Sequence, residues 1–98
     1  MNHIKKSNWF ANEMETHKTS IEFKQEYLLL NITEQILNIM EQQNIRHKDL
    51  AEKLGYSDAY VGRLLNGDVD ITLNILTRIA NVLDYHVDIS FNNIKGTL

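Results

Sequence analysis

The sequence contains no cysteine and no proline, and only four glycines and one tryptophan. Without cysteine there are no disulfides, no thiolate chemistry and no cysteine-ligated zinc. Without proline nothing interrupts helical runs, which suits a compact helical chain. No hydrophobic stretch approaches the roughly 20 residues that span a bilayer. Met1-Asn2-His3-Ile4-Lys5-Lys6 is not followed by an apolar signal segment. A cytoplasmic protein with no membrane role is expected. Net charge is −3 over 98 residues, so no uniform basic surface exists. The four histidines (3, 17, 47 and 86) are scattered, and none stands at metal-ligand spacing with another on a helix. No glycine-rich phosphate loop or nucleophile elbow is present. These features argue against an enzyme, and no cofactor is expected.

What is present is helical periodicity in a chain long enough for one modest core. The expected fold is all-α: a compact bundle of about five helices containing a helix-turn-helix, with a short C-terminal β-strand. Residues 1–18 read as a polar arm with scattered large apolar side chains, including Trp9 and Phe10, and a short helix around residues 7–16. The globular domain is expected over residues 19–91, and residues 92–98 read as a tail.

Thr19-Ser20-Ile21-Glu22 has the form of a capping box and should open a long helix over residues 20–43, with Asn44 as its stop. Asn31-Ile32-Thr33-Glu34 is a second such box, but a continuous helix is the favoured reading. Leu28-Leu29-Leu30 gives that helix apolar surface on more than one face, which suggests contact with a second body. Thr72 should cap a fourth helix over residues 72–83, with Leu73, Leu76, Ile79, Ala80 and Leu83 facing inward. From Tyr85 the period changes. Val87, Ile89 and Phe91 alternate with polar residues, which reads as a strand over residues 86–91. A lone strand is not stable, so it should pair with a second copy or a bound protein.

Residues 46–67 carry the densest signal. Leu50, Ala51 and Leu54 form one apolar stripe; Val61, Leu64 and Leu65 form another; Gly55-Tyr56-Ser57 makes a tight corner between them. Ala51 is small where two helices must cross, Gly55 can adopt the left-handed conformation that ends a helix, and Ser57 is a good N-cap. An αα-hairpin in a bundle would show the same stripes. The Asn66-Gly67 pair closing the second helix and the amphipathic helix that follows favour a helix-turn-helix. This is also the only segment with net positive charge: residues 45–67 carry four basic and three acidic side chains, against four and six in residues 1–44 and two and four in residues 68–98. The excess is small, and implies modest affinity per subunit for a polyanion.

Over roughly residues 34–85 the sequence resembles the phage-repressor (XRE/Cro) helix-turn-helix family. In that family an arginine seven residues before the start of the first module helix commonly pairs with a late glutamate of the second. Here those places hold Met40 and Leu65. Replacing a whole buried ion pair by apolar residues is tolerated far better than losing one member, so Met40 and Leu65 are expected to meet.

The resemblance implies that the second module helix enters the DNA major groove, with Asp58, Ala59, Tyr60 and Arg63 facing base edges. Arg63 can present a forked donor to guanine O6 and N7, whereas Asp58 serves better at its own helix N-terminus. Arg46, His47, Lys48, Ser57, Asn66 and Gly67 are the phosphate candidates. Arg46 stands where serine or threonine usually caps, at a cost of around 1 kcal/mol. Val87, Ile89, Phe91, Trp9 and Phe10 are candidates for a dimer or partner interface.

The leading functional expectation is a repressor that binds double-stranded operator DNA as a homodimer on an inverted repeat. Glu22-Phe23-Lys24-Gln25-Glu26-Tyr27, leading into the first helix, resembles antitoxins of host-inhibition-of-growth modules. That resemblance implies a toxin protein as a second partner. The acidic total charge leaves open a third reading, an interaction module that does not bind DNA.

Overall fold

The structure, a computed structural model, describes residues 20–95. It contains four helices: α1 (Ile21–Gln43), α2 (His47–Leu54), α3 (Asp58–Leu65) and α4 (Leu73–Leu83). The short arm helix expected near residues 7–16, and Trp9 and Phe10 with it, lie outside the described residues. The count within them is therefore four, where about five were expected.

α1 begins at Ser20, whose Oγ accepts from the Phe23 N–H at 3.1 Å. Ser20 therefore takes the capping role, one residue later than the Thr19 capping box implied. The helix runs unbroken through Asn31–Glu34, because Thr33 turns its hydroxyl inward and donates to Leu30 O at 3.0 Å. That bond satisfies a polar group in a buried position, so the second box has no need to open a new helix. α1 ends on Asn44 in the left-handed region (φ 58°). There the Ile45 N–H reaches back to Met40 O at 2.9 Å and closes the last turn.

α2 packs on α3 and α4, and α1 also packs on α3 and α4. Their shared core is Ile36 and Met40 of α1, Leu50 and Ala51 of α2, Val61 and Leu65 of α3, and Ile79 and Leu83 of α4. Met40 and Leu65 thus occupy one buried cluster, at 2% and 4% exposure. At this position the module is held by apolar burial, each large side chain contributing about 1.5–3 kcal/mol. Gln43 Nε2 donates to Leu83 O at 2.8 Å and ties the end of α1 to the end of α4.

α4 is capped by Thr72 Oγ1, which accepts from Ile75 N–H at 3.1 Å. Leu73 was expected to face inward but is exposed. It is the first helical residue, one turn short of where α4 meets the core. Asp84 adopts the left-handed conformation (φ 65°), and Tyr85 N–H bonds Ala80 O at 2.8 Å, turning the chain out of the helix.

Beyond that point the expected strand does not form within the chain. Residues 85–93 run free of helix, turn and bend, but no ladder exists among the described residues. A strand is defined by a neighbour, and the described part of the chain supplies none. The segment flanks an apolar cleft of about 370 Å³ between α1 and α4, walled by Leu28, Ile32, Ile39, Leu76, Val87 and Ile89. Among the described residues no helix is long and apolar enough to cross a membrane.

Candidate nucleic-acid interface

The corner between α2 and α3 presents a helix end to solvent. Gly55 closes α2 at φ 76°, where a side chain would be strained, and the Tyr56 N–H returns to Ala51 O at 3.0 Å. Leu50, Ala51, Val61 and Leu64 are all essentially inaccessible. The small Ala51 lets the two short helices approach closely enough to bury them.

Ser57 then starts α3, its Oγ accepting from Tyr60 N–H at 3.1 Å. With Val61, Leu64 and Leu65 turned inward, a 100° step per residue puts Ala59 and Arg63 at the centre of the opposite face, with Gly62 and Asn66 beside them. Asp58, Ala59, Arg63 and Asn66 are exposed, and Tyr60 and Gly62 are half-buried. Ala59 and Arg63 therefore share the outward centre with Tyr60 at one edge, while Asp58, five residues before Arg63 and so about 140° round the helix from it, is exposed in the first turn apart from them. Among the described residues the Arg63 guanidinium has neither a hydrogen bond nor an ion pair, leaving its full donor fork available.

Asp58 sits in the first turn of α3, where the helix dipole favours a carboxylate, while Ser57 provides the cap itself. Tyr60 is held by a residue that sequence reading did not single out. The Tyr56 ring meets it edge-on, centroids 5.2 Å apart and planes at 89°. Tyr56 packs against the core. Its only sequence signal is a large aromatic in a turn otherwise made of small residues.

The phosphate candidates divide. At the start of α2, Asp49 Oδ2 accepts from the Arg46 backbone N–H at 3.0 Å and from its Nε at 3.3 Å. A guanidinium has no acceptor, so this is the reciprocal half of a capping box only. The same contacts hold the Asp49 carboxyl below its ordinary value, the backbone N–H contributing most and the guanidinium next. Arg46 is thus already partly neutralised. His47 and Lys48 are exposed in the first turn. Their backbone N–H groups, and that of Asp49, find no acceptor among the described residues.

At the far end of α3, the Asn66 N–H is bonded to Gly62 O at 3.0 Å and the Gly67 N–H to Leu64 O at 3.2 Å. Neither amide is free for a phosphate. Gly67 serves the fold: its φ is 78°, and a Cβ there would lie 3.8 Å from the Leu29 side chain of α1. Ser57 has its hydroxyl oxygen engaged in the cap, and the Asn66 side chain is exposed. Val87, Ile89 and Phe91 lie on the C-terminal segment rather than on α3, and all three are exposed.

Two short helices at a tight corner, the second capped and turned outward, define a helix-turn-helix module. The helix-turn-helix family profile matches residues 36–89, just over half of the chain. The chain belongs to that family, in its XRE branch, and carries a DNA-binding helix-turn-helix of the kind found in transcription regulators. No curated protein and no solved structure matches it.

Proposed function

We propose that this protein is a sequence-specific transcriptional repressor which binds an inverted-repeat operator as a homodimer. α3 enters the major groove, and Arg63 is the principal base reader. The observation that carries this reading is the outward face of α3, with Ala59 and Arg63 exposed at its centre and Arg63 unpaired among the described residues. His47 and Lys48 at the start of α2 supply phosphate contacts through the free N–H groups there. A weakly charged module needs two copies for tight binding, with recognition helices about 34 Å apart.

Selection of binding sites from random duplexes with purified protein tests this. A palindromic consensus, bound with affinity that falls steeply as salt rises, is the expected result. Absence of any enriched sequence, with salt-insensitive binding to some other protein, would sink it and favour the interaction-module reading.

An antitoxin that both neutralises a toxin and represses its own operon is the second reading. Leu28 is 60% exposed beside the apolar cleft, whose lining residues come from α1, α4 and the C-terminal segment and include none of α3, and this apolar surface supports a protein partner. Co-expression with the neighbouring gene product separates the two: a stand-alone repressor co-purifies no toxin-sized protein.

A further inference from the structure

Residues 86–92 form an unpaired row of backbone donors and acceptors. None of their N–H or C=O groups bonds another backbone group of the described residues, the last such bond being Tyr85 N–H to Ala80 O. The apolar side chains on this row become more exposed along the chain, from 38% at Val87 to 64% at Ile89 and 96% at Phe91. A straight, unpaired edge with alternating apolar residues is a template for another strand.

Extending the homodimer reading above, we propose that residues 86–92 of two copies pair as antiparallel strands across a two-fold axis through Ile89. The segment is chemically self-complementary about that residue. His86-Val87-Asp88-Ile89-Ser90-Phe91-Asn92 alternates polar and apolar in the same way read from either end. With Ile89 opposite Ile89 of the second copy, Val87 faces Phe91, Asp88 faces Ser90 and His86 faces Asn92. One face of the ribbon is then wholly apolar, and the other places a hydroxyl donor opposite a carboxylate.

Competing registers are weaker. A shift of pairing that sets Asp88 against Ile89 would mix the two faces, which the period of two forbids. An axis through Asp88 sets two carboxylates directly opposite each other, a destabilising pair. An axis through Val87 pairs His86 with Asp88 but leaves Phe91 opposite Leu83, which is buried in α4 and unavailable. An axis through Ser90 pairs Ile89 with Phe91 but sets Val87 against Asn93, so the Ile89 axis is the one that gives Val87, Ile89 and Phe91 apolar partners without opposing two carboxylates. It also brings Phe91 of the second copy to Val87, beside the apolar cleft lined by Leu28, Ile32 and Ile39.

The absence of native cysteine makes the test clean. Directly opposed residues on antiparallel strands lie about 4.5–5.5 Å apart at Cα, inside the roughly 4.4–6.8 Å span of a disulfide. Residue 88 is displaced from its own copy by two positions, about 7 Å along the strand before the gap between strands is added. In the full-length chain under mild oxidation, Ile89→Cys should therefore become a covalently linked dimer while Val87→Cys and Asp88→Cys stay uncross-linked. In denaturant the three should cross-link equally slowly. Phe91→Lys should shift the uncross-linked protein from dimer to monomer mass in light scattering.

Faster cross-linking at position 87 or 88 than at 89 would overturn the register. A dimer that survives Phe91→Lys and cross-links at none of the three positions would overturn the surface, as would a wild-type monomer. Enrichment of a single half-site would keep α3 as the DNA reader while overturning the dimer, and cross-linking at Ile89 without any enriched sequence would do the reverse, so the two failures are distinguishable.

Discussion

The ring of Tyr56 meets the ring of Tyr60 edge-on at 5.2 Å, and this contact joins the corner of the module to the rim of α3. Such pairs contribute about 0.5–1.5 kcal/mol beyond the area they bury. Both rings are half-buried, and Tyr56 packs against the core from the corner, so its ring backs that of Tyr60. Tyr56→Leu should lower stability by about that amount in thermal melts and weaken operator binding. Tyr56→Phe keeps the ring geometry and should restore both. If Tyr56→Leu binds operator as well as the parent, Tyr60 does not read DNA from the position the ring pair gives it.

Gly62 offers a change in which stability and function move in opposite directions. It stands in the middle of α3, and a Cβ built there meets nothing within 4 Å. A mid-helix glycine costs about 0.5–1 kcal/mol relative to alanine. Gly62→Ala should therefore raise the melting temperature by a few degrees, about 1 kcal/mol corresponding to roughly 4–8 °C in a domain of this size. On the outward face the added methyl would lie between helix and duplex, so operator affinity should fall as stability rises. Equal affinity for parent and variant would mean that the duplex does not approach the backbone at Gly62.

How far these features were legible in the sequence depends on what each one needs. The α2–α3 corner was readable because Leu50, Ala51, Val61 and Leu64 repeat at helical spacing and Gly55 marks the break. Met40 and Leu65 were connected only through the family pattern, since no local period links residues 25 positions apart. The Asp49 bond to Arg46 was missed because an arginine at an N-cap draws attention to what it cannot accept, not to the carboxylate reaching back three residues later. Leu73 misled because periodicity says which way a side chain points and not whether the core extends that far. The strand over residues 86–91 shows the same limit: alternation describes a surface suited to pairing, while the pairing itself needs a second edge.

Arg63 separates reading from folding. Its guanidinium is exposed and touches no partner among the described residues, so Arg63→Ala should leave the melting curve unchanged. A forked contact to guanine is worth about 1–3 kcal/mol of discrimination. Competition between cognate and scrambled duplexes should lose that preference in the variant. Arg63→Lys retains the charge but not the planar fork, and should recover overall affinity more than selectivity. Undiminished discrimination in Arg63→Ala would remove this residue from the reading surface.

Asp49 couples stability, pH and DNA affinity at the start of α2. Its carboxyl is held below the ordinary value of 3.8, first by the Arg46 backbone N–H and then by the Arg46 guanidinium. A depressed folded-state pKa means that the charged form stabilises the fold. That contribution is fully present above the unfolded value and is lost as pH falls through the lowered one. Asp49→Asn lacks the charge at every pH. The parent should therefore melt higher than the variant at neutral pH, and the difference should close only in strongly acidic solution, below about pH 4. A difference that disappeared near pH 6 would assign the effect to some other group. The same carboxylate occupies the Arg46 guanidinium and places a negative charge near the free N–H groups of α2. Its neutralisation should tighten binding to any duplex and steepen the salt dependence by up to about one phosphate contact. Lower affinity in Asp49→Asn would show that holding Arg46 in place matters more to the duplex than releasing its charge.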